Sequence, residues 1–301
     1  MMTSKVQSLK DFLAGQGRLA LVEVAGTKGS TPREKGAFML VSREAIFGTI
    51  GGGQLEYMAI DKARQMLASS PPRKRQGKEA RIEVDEVCAT LDVPLGPEIG
   101  QCCGGRVEVL IRLVDAPLAA ELVAAAEAEE AHLPHVYIFG GGHVGQALAA
   151  AISLLPVHGV VVETRAEALE GMPQTVETRL TPMPEAEVRN APAGTGFAIL
   201  THDHALDFLI VAEALKRDDA AYVGMIGSKT KKATVKNWFL KSAEGTEAEF
   251  ARLVSPIGGD AVKDKRPQVI AALAAAEIMT ALVTHNAAPN VDHPHDRVMA
   301  G

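Results

Sequence analysis

Val136-Tyr137-Ile138-Phe139-Gly140-Gly141-Gly142-His143-Val144-Gly145 sets an apolar run directly before a glycine turn. The run reads as a buried strand, the following Gln146 to Leu154 as a helix, and Gly159 to Val162 as the next strand. Strand, glycine turn, helix, strand is how a dinucleotide-binding α/β unit opens. In Gly140-x-Gly142-x-x-Gly145 the glycines serve a tight turn, close approach of a diphosphate, and close packing of helix on strand. Free N–H groups and the helix dipole at such a turn attract anions. Glu163 ends the next strand, 18 residues after Gly145, where a Rossmann fold places a carboxylate that accepts from ribose hydroxyls. The same pattern also suits a Rossmann-like fold whose pocket is empty or serves another phosphate ligand, because fold does not fix function.

Outward from this stretch, strands at Gly196 to Leu200 and Ala221 to Ile226 alternate with helices at Asp207 to Lys216 and Lys229 to Leu240, and Gln268 to Val283 closes the chain as a helix. Toward the N-terminus the pattern changes. Ser8 to Ala14 reads as the end of a short helix, and Arg18 to Ala25 alternates like a strand. Phe38 to Val41 and Ala45 to Thr49 form a hairpin running into Gly51-Gly52-Gly53, and Leu55, Met58, Ala59, Ala63, Met66 and Leu67 recur at helical spacing. Residues 70 to 80 read as a surface turn, and Ala80 to Val84 and Arg106 to Val114 as strands. The Ala- and Glu-rich Pro117 to Ala131 favours a connecting helix. The expected architecture is an N-terminal α+β domain over residues 1–133, followed by a C-terminal Rossmann-like doubly wound domain over residues 134–301.

Several loops carry chemistry. Gln101-Cys102-Cys103-Gly104-Gly105 holds two of the three cysteines in the chain, the third being Cys88. Adjacent cysteines bridge only with strain, which favours a free thiol. A thiolate there can hold a soft metal or a metal cofactor, and the alternative is two small buried residues before a strand. Gly26-Thr27-Lys28-Gly29-Ser30-Thr31-Pro32-Arg33 combines hydroxyls, cations and backbone N–H groups suited to an anion, without the order of a P-loop. Glu56 either caps and orients or is a solvated first-turn carboxylate. Thr201-His202-Asp203-His204 follows a strand at the end where open α/β sheets bind ligands. Its histidines can ligate a metal or move protons, or Asp203 or His204 caps the helix at Asp207. Gly227-Ser228-Lys229 is a second phosphate-friendly turn, with Ser228 as cap and Lys229 as counter-charge.

Bulk properties narrow the classes. The net charge of −6, with cations mixed among carboxylates, gives no nucleic-acid surface. Three cysteines do not make a secreted disulfide framework, and a reducing cytoplasm is the simplest home. Neither a signal core nor a charge-free apolar stretch of spanning length is read, so no membrane partner is expected.

Taken together, these segments resemble the xanthine dehydrogenase accessory proteins of the XdhC/CoxI family. The likeness is carried in order by Gly29-Ser30-Thr31-Pro32-Arg33, Gly48-Thr49-Ile50-Gly51-Gly52-Gly53-Gln54-Leu55-Glu56, Gly100-Gln101-Cys102-Cys103-Gly104-Gly105 and the Rossmann turn with His143. It continues through Thr201-His202-Asp203-His204, Tyr222-Val223-Gly224-Met225-Ile226-Gly227-Ser228-Lys229 and Ser255-Pro256-Ile257-Gly258. The resemblance implies a chaperone for molybdenum cofactor, the molybdopterin-bound metal used in purine catabolism. Such a chaperone protects the cofactor while a cysteine desulfurase supplies its sulfido ligand, then inserts it into the molybdenum-binding subunit of xanthine dehydrogenase. It also implies a homodimer. Cofactor contacts are expected at Gln101, Cys102, Cys103, Gly104, Gly105, Gly140, Gly142, His143, Gly145, Glu163, Ser228 and Lys229, with Cys103 nearest the metal. No catalytic residue is assigned, and the alternative is an NAD(P)-dependent oxidoreductase using the Rossmann domain. Two departures stand out: Gln54 replaces a cysteine that some relatives carry, and Gly259 to Pro267 is unlike the commoner family segment.

Overall fold

A computed structural model describes residues 5–68, 88–94 and 105–287. Its contacts divide into two units, one ending at Glu129 and one beginning at Glu130. The strand expected at Ala80 to Val84 lies outside the described residues.

In the first unit the elements run α1 (Lys5–Gly15), β1 (Ala20–Lys28), β2 (Phe38–Val41), β3 (Ile46–Gly48), α2 (Gly53–Ala68), β4 (Cys88–Pro94), β5 (Arg106–Leu113) and α3 (Ala116–Ala131). The strands form a sheet in the order β3-β2-β1-β5-β4, antiparallel at every pairing. Strand periodicity divides β1 between two cores. Ala20, Val22 and Val24 face Leu55, Ala59, Ala63 and Leu67 of α2, while Leu21 turns to the opposite face, where Leu9 of α1 and Leu118 and Leu122 of α3 cover it. β4 is not expected from the sequence, since Thr90 and Asp92 interrupt its apolar residues, Pro94 ends it, and it pairs only at the sheet edge.

The second unit runs β6 (His135–Phe139), α4 (His143–Ile152), β7 (His158–Glu163), β8 (Glu177–Leu180), α5 (Pro184–Asn190), β9 (Gly196–Ile199), α6 (His204–Lys216), β10 (Tyr222–Met225), α7 (Lys229–Ser242), α8 (Glu247–Ala251), β11 (Leu253–Val254) and α9 (Pro267–Ala287). Its sheet is parallel throughout, in the order β11-β10-β9-β6-β7-β8. Alternate residues of β6 feed separate cores. Tyr137 and Phe139 pack with α5 and α6 residues such as Val188 and Ile210; Val136 and Ile138 pack with Leu148 of α4 and Ala274 and Ile278 of α9. Burial on both faces explains why β6 is an unbroken apolar run rather than an alternating one. This is a doubly wound Rossmann-like sheet, and its order reverses between β6 and β9. Among the described residues α9 alone is long and apolar enough to cross a membrane, and it lays Ala271, Ala274, Ile278 and Leu282 into this core.

Candidate functional site

Three loops that are distant in sequence meet in the first unit. β1 and β5 pair Lys28 with Arg106, so the residue before β5 lies against the start of the Gly26–Arg33 loop. A Cβ added to Gly105 would stand 2.2 Å from Ser30 O and 2.7 Å from Lys28 O, an approach only glycine permits. Pro32 in turn lies against Gly51, where an added Cβ would stand 2.8 Å from its Cγ. Glu56, on the first turn of α2, fixes the glycine turn above it. Its Oε2 accepts from the N–H groups of Ile50 at 3.1 Å and Gly52 at 3.0 Å and from the Thr49 hydroxyl. That makes Glu56 a support of the turn rather than a solvated carboxylate. Lys28 and Arg33 are exposed beside it. Gln101, Cys102, Cys103 and Gly104 lie outside the described residues, and the chain leaving them enters this cluster at Gly105. Gly105→Ala should therefore destabilise the chain by about 1–3 kcal/mol, since one of two backbones must shift. Gly17→Ala, with nothing within 4 Å of the new Cβ, should change the melting temperature little by comparison.

The second unit gathers its expected residues at the carboxyl ends of β6, β7, β9 and β10. Gly140, at φ +109°, turns the chain beneath Leu200 O, and an added Cβ at Gly145 would stand 1.9 Å from Gly140 O. Those two glycines are needed by the protein's own packing. Gly142 differs, since nothing lies within 4 Å of its added Cβ and no side chain caps the N-terminus of α4. The open side of Gly142 with uncapped helix N–H groups is the arrangement a phosphate uses. His143 is exposed at the start of α4.

Glu163 is 4% exposed, and both of its oxygens are engaged by the protein. Oε2 accepts from Gly141 N–H at 2.8 Å and Arg165 Nη2 at 3.3 Å, and Oε1 from Thr164 N–H at 2.8 Å, Thr164 Oγ1 at 3.1 Å and Arg165 N–H at 3.2 Å. The expected ribose acceptor is thus a clasp that ties β7 to the glycine turn. Burial alone would push its carboxyl up; the donors from Gly141, Arg165 and Thr164 outweigh burial and hold it at about 2, against an ordinary 4.5. A depressed carboxyl stabilises the fold above its unfolded value and loses that contribution as pH falls from about 4.5 toward 2. Glu163→Gln should cost about 3 kcal/mol at neutral pH and flatten the acid limb of the stability curve, measured by denaturant unfolding from pH 7 to 2.5.

After β9, Asp203 caps α6, accepting from Ala205 N–H at 2.8 Å, while His202 and His204 are exposed. Among the described residues no three His, Cys, Asp or Glu side chains gather as a metal site. Ser228 caps α7, accepting from Lys231 N–H at 3.2 Å, and Lys229 is exposed. The buried cation of this turn is Lys231. It pairs with Asp207, whose other oxygen takes the Thr201 hydroxyl at 2.7 Å and Thr201 N–H at 3.2 Å; the Lys231 ammonium also reaches Ile226 O at 3.1 Å. Asp207 is 0% and Lys231 10% exposed along the side chain. This pair, which the sequence reading passed over, joins the loop after β9 to the loop after β10. After β11, Ile257 donates its N–H to Met225 O at 3.1 Å and brings Ser255-Pro256-Ile257-Gly258 alongside.

Comparison with known proteins agrees with this architecture. Over 270 residues the chain is 27% identical to the uncharacterized protein YqeB of Escherichia coli K12, a match covering 86% of this chain and 43% of that protein, so the chain spans less than half the length of this relative. A crystal structure of a xanthine dehydrogenase from Bacillus halodurans superposes with a TM-score of 0.73 over 97% of this chain and 98% of that one; at 17% identity the likeness is one of fold. Residues 136–278 match the XdhC Rossmann domain model and residues 12–76 the model of the XdhC and CoxI family, together about two thirds of the sequence. With the glycine turn, the Gly51–Glu56 turn and the Gly105 junction all in place, the chain belongs to the XdhC and CoxI family.

Proposed function

We propose that this protein is an accessory factor of xanthine dehydrogenase that binds molybdenum cofactor, shelters it during sulfuration, and hands it to the molybdenum-binding subunit. The observation that carries the reading is the junction at Gly105. Gly105, two residues after Cys103 in sequence, packs against Ser30 and Lys28 in a cluster that holds exposed Lys28 and Arg33 and a glycine turn braced by Glu56. The donor set fits the group. Cations and backbone N–H groups suit the cofactor's phosphate, and Cys103, aided by Cys102, supplies a soft ligand for the metal. The bound cofactor brings the metal and its exchangeable terminal ligand. The chain's own task is to bind, orient and exclude water. A cysteine desulfurase and the dehydrogenase subunit are the partners of this reading, in the cytoplasm, with the protein as a homodimer.

An NAD(P)-dependent oxidoreductase is the competing reading, and the engagement of Glu163 by Gly141, Thr164 and Arg165 counts against it. Anaerobic titration with molybdenum cofactor, followed by transfer to cofactor-free xanthine dehydrogenase, tests the proposal. Stoichiometric binding and restored dehydrogenase activity are expected. Tight nicotinamide binding in a parallel titration, with no cofactor binding, would overturn it.

A further inference from the structure

Burial divides α2 into two faces. Leu55, Ala59, Ala63 and Leu67 pack into the sheet core, and such a helix turns polar residues to solvent on its other side. Asp61 and Gln65 follow the rule, joined by a hydrogen bond of 2.7 Å from Gln65 Nε2 to Asp61 Oδ2. The first two turns break it. Tyr57 is 70% and Met58 38% exposed, on the face of Asp61 and directly after Glu56, the residue that braces the glycine turn. Ile46, 41% exposed, lies on the edge strand β3 that leads into that turn. Large apolar side chains in solvent thus gather at the end of α2 that carries the candidate site, and Tyr and Met are types enriched where proteins bind one another. The charge beside them has one sign. The segment of residues 26–35, which lies against Gly51 through Pro32, exposes Lys28, Arg33 and Lys35 against a single exposed carboxylate, Glu34, in a chain of net charge −6. Two copies meeting through this face would set like charges together, whereas a partner with carboxylates around an apolar pocket is complementary.

We infer that Tyr57 and Met58 are the docking anchor for the protein that receives what this site holds, a partner whose surface offers an apolar pocket rimmed by Asp and Glu side chains. The inference rests on the accessory function proposed above and adds the surface on which the acceptor docks. The Tyr57 ring fills the pocket and excludes water from it, with Met58 beside it adapting to the wall. Lys28, Arg33 and Lys35 steer the encounter and set its orientation, because the rest of the chain carries the opposite net charge. An anchor one residue from Glu56 places the acceptor at the glycine turn itself.

The test uses the full chain, cofactor-free xanthine dehydrogenase as the acceptor, and three variants: Tyr57→Ala, Tyr57→Phe and, in the second unit, Leu154→Ala, a control residue also 70% exposed. Tyr57→Ala should associate with the dehydrogenase about tenfold or more weakly and, at limiting concentration, restore its activity more slowly by the same factor, with cofactor titration and melting temperature unchanged. Tyr57→Phe keeps the ring and should retain most of the association, and Leu154→Ala all of it. Added salt should slow association of wild type and Tyr57→Ala alike, since both keep the cations. Association is read with and without cofactor, so a wild type that binds no cofactor defeats the proposed function, whereas undiminished association and transfer by Tyr57→Ala defeats the docking inference alone. No association of the wild type with the dehydrogenase overturns it as well. A weaker cofactor titration in Tyr57→Ala would make the ring a cofactor contact, and a dimer that falls to a monomer in light scattering would make it a contact between copies; either result overturns the inference.

Discussion

Asp207→Ala should lower the stability of the second unit by about 3–5 kcal/mol, roughly 10 °C or more in melting temperature for a unit of this size. The substitution strands the Lys231 ammonium, 10% exposed, without its carboxylate, and removes the acceptor of Thr201 N–H and one of the two acceptors its hydroxyl has, the other being Asp203 O at 2.9 Å. A buried pair adds little net stability compared with an apolar pair of the same shape, yet breaking it on one side is severe, because the surviving charge keeps its desolvation cost. The double variant Asp207→Leu with Lys231→Met should therefore recover much of the loss. A thermodynamic cycle over the two positions should give a coupling of about 1–3 kcal/mol. Additive losses would mean that the two groups act separately. The pair also has a functional side: it holds the loop after β9 to the loop after β10, so the double variant should melt near wild type while hydrogen exchange at 200–204 and 226–231 rises.

The origin of that pair shows where sequence reading runs out. The doubly wound unit was legible because β6, β7, β9 and β10 are buried on both faces and appear as apolar runs, and because the glycine turn falls between strand and helix. β8 was not, since Glu-Thr-Arg-Leu at the sheet edge is held by ion pairs of Arg179 with Glu177 and Glu187 rather than by apolar packing. β11 is two residues long and has no periodicity to read. Among site residues, the glycines and the caps Asp203 and Ser228 are local features, fixed within four residues, and could be read directly. The Asp207–Lys231 pair and the Glu163 clasp are not local. Lys229 reads from the sequence as a counter-charge because it follows the cap, and it stands in solvent; Lys231, two residues on, turns back toward Ile226 and Asp207, which spacing alone does not assign. Glu163 was correctly placed at the end of β7, while its donors, Gly141 and Arg165, were beyond what spacing can assign. The convergence of Ser30, Gly51 and Gly105 depends on the register of β1 against β5, which no single motif encodes.

On the proposed function, Cys103→Ala should weaken cofactor binding by about 100-fold or more, an effect at least as large as losing an outer-shell partner of a metal ligand, because the proposal makes Cys103 the ligand itself. The loss should be in affinity, with the melting temperature unchanged, since a small side chain is replaced by a smaller one. Cys102→Ala should cost about tenfold or less, in keeping with a helper. Cys88→Ala is the structural control. Cys88 pairs with Arg112, at the far end of β5 from the Gly105 junction, about 20 Å away along the strand, so its removal should leave the titration unchanged. Binding retained in Cys103→Ala but lost in Cys102→Ala would exchange the two roles. Retention in both would remove the thiol from the proposal and leave Lys28, Arg33 and the Gly51–Glu56 turn as the holding groups, whose removal should then weaken binding with a salt dependence that the thiol contact would not show.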